Sequence, residues 1–155
     1  MKRICLLDLN YTLVSNQQAT RMLRPFSARM QAEEYRTELL DAIKDDYVIL
    51  ITARPNYQAK ETLANIARKT GWRPQEFYFN DINAKPPVFK ESALRRWVFP
   101  KHGKEPMQFY ALESNPDTRE MYARYGIHAQ PYSTFLKGLT KPVNEEPAFT
   151  QMSMF

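Results

Sequence analysis

Asp8, Thr52 and Glu113 each stand at the end of a short apolar run: Ile4-Cys5-Leu6-Leu7, Tyr47-Val48-Ile49-Leu50-Ile51 and Phe109-Tyr110-Ala111-Leu112. Two carboxylates and a hydroxyl that close three strands of one sheet are expected to converge on a single rim, beyond the carboxyl ends of the strands where ligands bind. Other chemistries have no comparable footing in the chain. Four glycines leave no glycine-rich phosphate loop, and His102 and His128 lack metal-ligand spacing. The single cysteine, Cys5, sits inside an apolar run, where it reads as a small core residue and not as a nucleophile.

The elements that must position these groups follow from periodicity. Arg3 to Leu7 is too short and too uniformly apolar for an amphipathic helix and fits a buried strand of a parallel sheet. Ala32, Tyr35, Leu39 and Ile43 recur at three and four residues, predicting one helix from Ser27, its N-cap, to about Asp45. Tyr47–Ile51 is a second strand. A helix opened by Asn56 and closed at Gly71 buries Ala59, Leu63, Ile66 and Ala67, and a third strand spans Glu76–Phe79. Pro86 or Pro87 begins a helix through Trp97, Phe109–Leu112 is a fourth strand, and Asn115-Pro116 supplies the N-cap and first position of a helix through Tyr125. Gly126 closes that helix, and a short strand follows near His128–Tyr132. Strands alternating with helices imply right-handed crossovers and a parallel sheet covered on both faces, with ligands beyond the carboxyl ends of the strands.

The chain of 155 residues has the size of one domain, read as 1–135, with 136–155 as a C-terminal tail that loses periodicity. No apolar run approaches the roughly 20 residues of a membrane span, and Asp8 falls too early for a signal peptide, so a cytoplasmic protein is expected. Lys85, Lys90, Arg95, Arg96, Lys101 and Lys104 face only Glu91 within their segment, an excess equal to the net charge of +5 of the whole chain. Such a cluster attracts polyanions, nucleic acid foremost, or forms a solvated helix face.

Asp8-Leu9-Asn10-Tyr11-Thr12-Leu13 resembles the first motif of haloacid-dehalogenase (HAD)-like phosphatases, Asp-x-Asp-x-Thr after a hydrophobic strand. The resemblance implies that Asp8 is a nucleophile forming an aspartyl-phosphate and a ligand of Mg²⁺. Asn10 takes the place of the family's general acid. An amide cannot shuttle a proton near pH 7, but its main-chain carbonyl remains available to the metal. Tyr11 replaces the glycine common at that point and crowds the turn. Thr52-Ala53-Arg54 looks like the second motif, whose hydroxyl and adjacent backbone N–H hold phosphoryl oxygens. Thr12, Ala53, Arg54 and Lys85 are expected to contact substrate.

Of the two lysines that suit the third motif, Lys85 and Lys90, the latter is favoured. Val88-Phe89-Lys90-Glu91-Ser92-Ala93-Leu94 resembles the lysine-bearing helix of the phosphatase domain in phage polynucleotide kinase-phosphatases. Glu113 and Asp117 are similar to the acidic metal ligands of the fourth motif, although Ser114 stands where paired-acid members carry a ligand. The resemblance spans residues 3 to 132 and implies a Rossmann-like, three-layer α/β sandwich of HAD type. Neither residues 15–46 nor residues 55–84 leave room for a full cap domain, which in that family implies an open cleft, suited to a large substrate or closed by a partner subunit. The implied function is a Mg²⁺-dependent phosphomonoesterase acting on a nucleic acid end or nucleotide. The alternative is an impaired relative that binds phosphorylated ligands, nucleic acid or a protein partner.

Overall fold

The computed structural model describes residues 3–140, so the tail expected over 141–155 lies outside the described residues. The first strand, β1 (Ile4–Leu7), is buried on both faces and runs into a tight turn at Leu9–Leu13. Three short helices follow, α1 (Gln17–Thr20), α2 (Phe26–Ala32) and α3 (Thr37–Ala42), and then β2 (Tyr47–Pro55). A 3₁₀ turn leads into α4 (Ala59–Thr70), which stops at Gly71 with φ +76°, and the edge strand β3 (Glu76–Asn80) comes next. Helix α5 (Pro86–Ala93) continues through a π-helical turn at Leu94–Val98 into α6 (Phe99–His102). The chain closes with β4 (Phe109–Leu112), α7 (Pro116–Arg124), β5 (His128–Gln130) and α8 (Tyr132–Thr140).

All four strand pairings are parallel, in the order β3-β2-β1-β4-β5. This is the three-layer α/β architecture expected from the sequence. Alternate residues of β1 point to opposite faces: Cys5 and Leu7 join a cluster with Leu39, Ile43, Leu50 and Ile66, whereas Ile4 and Leu6 join Phe89, Leu94, Met121 and Tyr122. Cys5 is fully buried, and burial pushes its thiol up to about 12, which fits a core residue and not a nucleophile. The chain reverses direction across the sheet between β1 and β4, and ligands of open α/β sheets bind beyond the strand ends at such a switch point.

Three expectations on the elements are corrected. The single helix predicted over 27–45 is broken at Glu33–Arg36, where Tyr35 bridges antiparallel to Val14 and Glu33 turns inward to a buried ion pair. The apolar spacing persists across the break, which is why periodicity alone missed it. Ser27 is not the N-cap of α2; Pro25 occupies that position. Residues 136–140, assigned to an aperiodic tail, belong to α8, where Phe135 stacks on Tyr110 and Leu136 packs on the core. No described helix is long and apolar enough to cross a membrane.

At the amino-terminal rim, away from Asp8, Glu76 gathers the Tyr47 hydroxyl at 2.6 Å, the Tyr78 hydroxyl at 2.7 Å and His102 Nε2 at 2.5 Å. Burial alone would raise this carboxyl, but the three hydrogen bonds outweigh it and hold Glu76 at about 2 against an ordinary 4.5. A depressed folded-state value stabilises the protein above the ordinary value, and the contribution is lost as pH falls towards the folded one. Glu76→Gln is therefore expected to flatten the loss of thermal stability between about pH 4.5 and pH 2, as read by melting temperature across that window.

Candidate active site

Asp8 follows β1 directly, and its N–H pairs with the Leu112 carbonyl at 3.0 Å, so the central strands aim its side chain over their carboxyl ends. There it meets Lys90, which α5 carries inward until only 1% of the residue is exposed. Lys90 Nζ donates to Asp8 Oδ1 at 2.8 Å and to Glu113 Oε1 at 2.6 Å. Burial would lower the ammonium's pKa, but the two carboxylates overcome that effect and hold it well above its ordinary value. Glu113 is pushed up to about 7, chiefly by burial, with Lys90 opposing and Asp8 adding to the rise. Two carboxylates around one ammonium leave one negative charge in excess, which a cation or a proton would balance.

The remaining lone pairs of the carboxylates are also engaged. Asp8 Oδ2 accepts from the Thr12 hydroxyl at 2.8 Å, the Ser114 hydroxyl at 2.9 Å and the Ser114 N–H at 3.4 Å. Glu113 Oε2 accepts from the Asn115 N–H at 3.1 Å. Asp8, Lys90, Glu113, Ser114 and Asn115 line a pocket of about 210 Å³ together with Asn10, Tyr11, Thr52, Ala53 and Pro86. Thr52 Oγ1 accepts the Arg54 N–H at 3.0 Å, and no acceptor among the described residues takes its own proton, so that proton is free for a ligand. Tyr11, on the rim, has φ +64°, a left-handed conformation that costs a non-glycine residue on the order of 1–3 kcal/mol. A side chain therefore stands at a turn whose backbone conformation favours glycine.

The sequence-derived candidates divide into two groups. Asp8, Asn10, Thr52, Ala53, Lys90 and Glu113 converge on the pocket, and four others do not line it. Thr12 is fully buried and braces Asp8, so it does not face substrate. Lys85 is exposed at the extended N-cap position of α5, one helical turn short of Lys90. Asp117 is exposed in the first turn of α7, where the Asn115 cap ties down its N–H. Arg54, expected to touch substrate, is only 2% exposed, and both of its terminal nitrogens are engaged elsewhere.

Arg54 Nη1 and Nη2 form a two-pronged pair with Glu33 at 3.1 and 2.9 Å, and Nη1 also reaches Thr62 Oγ1 at 3.2 Å. Its Nη2 donates to Asn10 Oδ1 at 2.7 Å. An arginine has no acceptor to offer, so the amide oxygen must face it, and the amide nitrogen of Asn10 is left for the pocket. Tyr35 donates to Glu33 Oε1 at 2.8 Å and accepts from Asn65 at 2.8 Å, which completes the buried network. Sequence reasoning missed Glu33, Ser114, Asn115 and Pro86. The one available signal for Glu33 was that an arginine at a buried strand end requires an acid.

The pocket partly suits a divalent cation. Asp8 Oδ2 and the Asn10 carbonyl both lie beside Ser114 Oγ, at 2.9 and 3.3 Å, near the spacing of about 3 Å that adjacent octahedral Mg²⁺ ligands require. All three are hard oxygen donors. Among the described residues, however, no cluster of three or more histidine, cysteine, aspartate or glutamate side chains surrounds a common point. A cation there would rest on one or two carboxylates together with carbonyl, hydroxyl and water oxygens, a composition that Mg²⁺ accepts.

No family model matches this chain, and no curated protein matches its sequence. Solved structures share its fold. A chain in a structure of the Pnkp1/Rnl/Hen1 RNA repair complex superposes with a TM-score of 0.62 at 18% identity, over 84% of this chain and 42% of the other. A chain in a second structure of the Pnkp1/Rnl/Hen1 complex gives 0.64 at 17% identity, over 84% and 45%. This chain thus spans less than half the length of the chains it resembles.

Proposed function

We propose that this chain is a HAD-like phosphomonoester hydrolase that acts on a phosphorylated nucleic acid end or nucleotide with Mg²⁺. The observation that carries the reading is Asp8 at the switch point of the sheet, held 2.8 Å from the buried Lys90 ammonium in a pocket shared with Thr52. The RNA repair complexes that contain the structural neighbours support a nucleic acid end as the substrate class. Thr52, the Ala53 backbone and Lys90 would hold the phosphoryl oxygens, positively charged and hydrogen-bonding groups being what the developing charge requires. Asp8, the Asn10 carbonyl, Glu113 and Ser114 would hold Mg²⁺, whose contribution is to neutralise the phosphate and orient it. The Asp8 carboxylate would attack phosphorus, forming an acyl phosphate as the ester P–O bond breaks, and water would then release phosphate. The leaving oxygen would take its proton from solvent, because residue 10 offers an amide. General acids contribute about 10²–10⁴-fold, so turnover is expected to be slow except with good leaving groups.

A second reading, a domain that binds terminal phosphates without turnover, is favoured by one observation: Arg54 fixes the Asn10 amide with its donor towards the pocket. Phosphate release from p-nitrophenyl phosphate, nucleotides and 3′- and 5′-phosphorylated oligonucleotides separates the two. Wild-type release with Mg²⁺ should fall to background in Asp8→Asn. Release indifferent to that change would exclude Asp8 as nucleophile. No release from any ester, with phospho-oligonucleotides still bound, would establish the second reading.

A further inference from the structure

The basic segment 85–104 does not form one surface. Lys90 points into the pocket, Arg96 grips Asp81 through both terminal nitrogens at 2.9 and 2.7 Å, and Lys101 lies 3.4 Å from Glu76. A hollow of about 750 Å³ lies instead between α4 and the edge strand β3. Lys60, Arg68 and Arg73 line it, all exposed and none in an ion pair among the described residues. No acidic side chain lines it; the nearby Glu61 borders a different hollow with Met30 and Gln31. Its lining includes Phe77, 48% exposed and edge-on to Phe79, on the strand at the edge of the sheet of the described residues.

This hollow connects to the candidate active site. The pocket around Asp8 shares Ala53 with a depression of about 370 Å³, and that depression shares Asn56 with the α4 groove. At the junction stands Tyr57, 85% exposed, the most solvent-accessible large hydrophobic side chain among the described residues. Asp81 is the sole carboxylate along the connection, and Arg96 neutralises it. Helix α4 has 12 residues, a length of about 18 Å at 1.5 Å per residue.

We propose that this track binds the nucleotides next to the end held at Asp8, so that the ligand is a single strand and not a free nucleotide. The proposal rests on the phosphate-pocket reading of the previous section. Successive phosphates would meet Lys60, Arg68 and Arg73, while Tyr57 and Phe77 offer π-faces to bases, the combination by which single strands are bound without sequence readout. Unstacked bases are needed to use those faces. RNA and DNA single strands share this chemistry.

Fluorescence anisotropy with labelled ten-nucleotide RNA and DNA strands, phosphorylated or not at the unlabelled end, tests the proposal on the full chain. The wild type should bind the phosphorylated decamer at least about tenfold more tightly than the matching mononucleotide, base stacking alone being able to supply that factor. Lys60→Glu/Arg68→Glu/Arg73→Glu should abolish that advantage and reduce the slope of log affinity against log salt by about 2, at roughly 0.7 per phosphate contact. Tyr57→Ala should weaken decamer binding by about tenfold. Arg95→Glu/Lys104→Glu, on the segment singled out by sequence, should change neither, and thermal melts of each variant control for folding. Wild-type affinity in the triple variant, equal loss in the Arg95/Lys104 variant, or equal affinity for duplex would each overturn the proposal. If the end phosphate makes no difference while the triple variant still loses the decamer, the Asp8 pocket reading fails and the groove stands. If the end phosphate matters but the groove variants bind normally, the groove fails alone. The RNA and DNA arms identify which strand the groove serves.

Discussion

Lys90→Met is expected to destabilise the protein by about 3–5 kcal/mol, the penalty for removing one partner from a buried ion pair. Lys90 is 1% exposed and is the only cation paired with the Asp8 and Glu113 carboxylates among the described residues. Without it, two buried carboxylates face one another, and one must take up a proton. A urea midpoint at neutral pH should reveal the loss. Adding Glu113→Gln to Lys90→Met should recover part of it, since the remaining Asp8 keeps Thr12 and Ser114 as donors. A Lys90→Met variant as stable as wild type would mean that the ammonium is not the balancing charge of this pocket. Phosphate affinity, measured in the same variant, should fall as well, because the pocket would lose its one buried cation.

The second large effect concerns Glu33→Ala. Glu33 is fully buried and pairs with Arg54 through both of its oxygens, so its removal strands a guanidinium in the interior, with a comparable expected cost of about 3–5 kcal/mol. Asp81→Ala supplies the contrast. Its pair with Arg96 is about one-third exposed and should be worth no more than about 1 kcal/mol. Equal midpoints for the two variants would show that the Arg54 network contributes no more than a surface contact. Asn10 should also respond, since Arg54 sets the orientation of its amide. The cost of losing Glu33 should therefore be accompanied by weaker binding of inorganic phosphate in the Asp8 pocket, which Asp81→Ala, outside that pocket, should leave unaltered.

The strands were legible in the sequence because each central one is a continuous apolar run ended by a polar residue, as burial on both faces demands. Asp8, Thr52 and Glu113 were legible for the same reason, each marking a strand end. Lys90 was legible only through its motif, since helix periodicity does not distinguish a lysine that faces solvent from one that faces two carboxylates. The Glu33–Arg54 pair was not legible: its partners lie on different elements, and the predicted helix ran straight through Glu33. The misassigned role of Arg54 has the same origin. Of the basic residues crowded in sequence between 85 and 104, Lys90 is buried, Arg96 and Lys101 pair with acids, and only Arg95 and Lys104 line a common hollow, whereas Lys60, Arg68 and Arg73, spread along the chain, share one groove. Helical and edge-strand geometry, not local composition, brings them together.

The order of strands across the sheet has a consequence for how the protein acquires its chemistry. Asp8 lies on the central strand, but its partners Lys90 and Ser114 are 82 and 106 residues away. Contacts of such long sequence separation must await the loop closures that bring their strands together, and they form late. β1 can pair with β2 long before β4 arrives on its other side, so an intermediate lacking β4 would hold the nucleophile candidate without Glu113 or Ser114. Ligand binding at the pocket therefore requires β4 in place beside β1, and the first half of the chain alone does not supply Glu113 or Ser114.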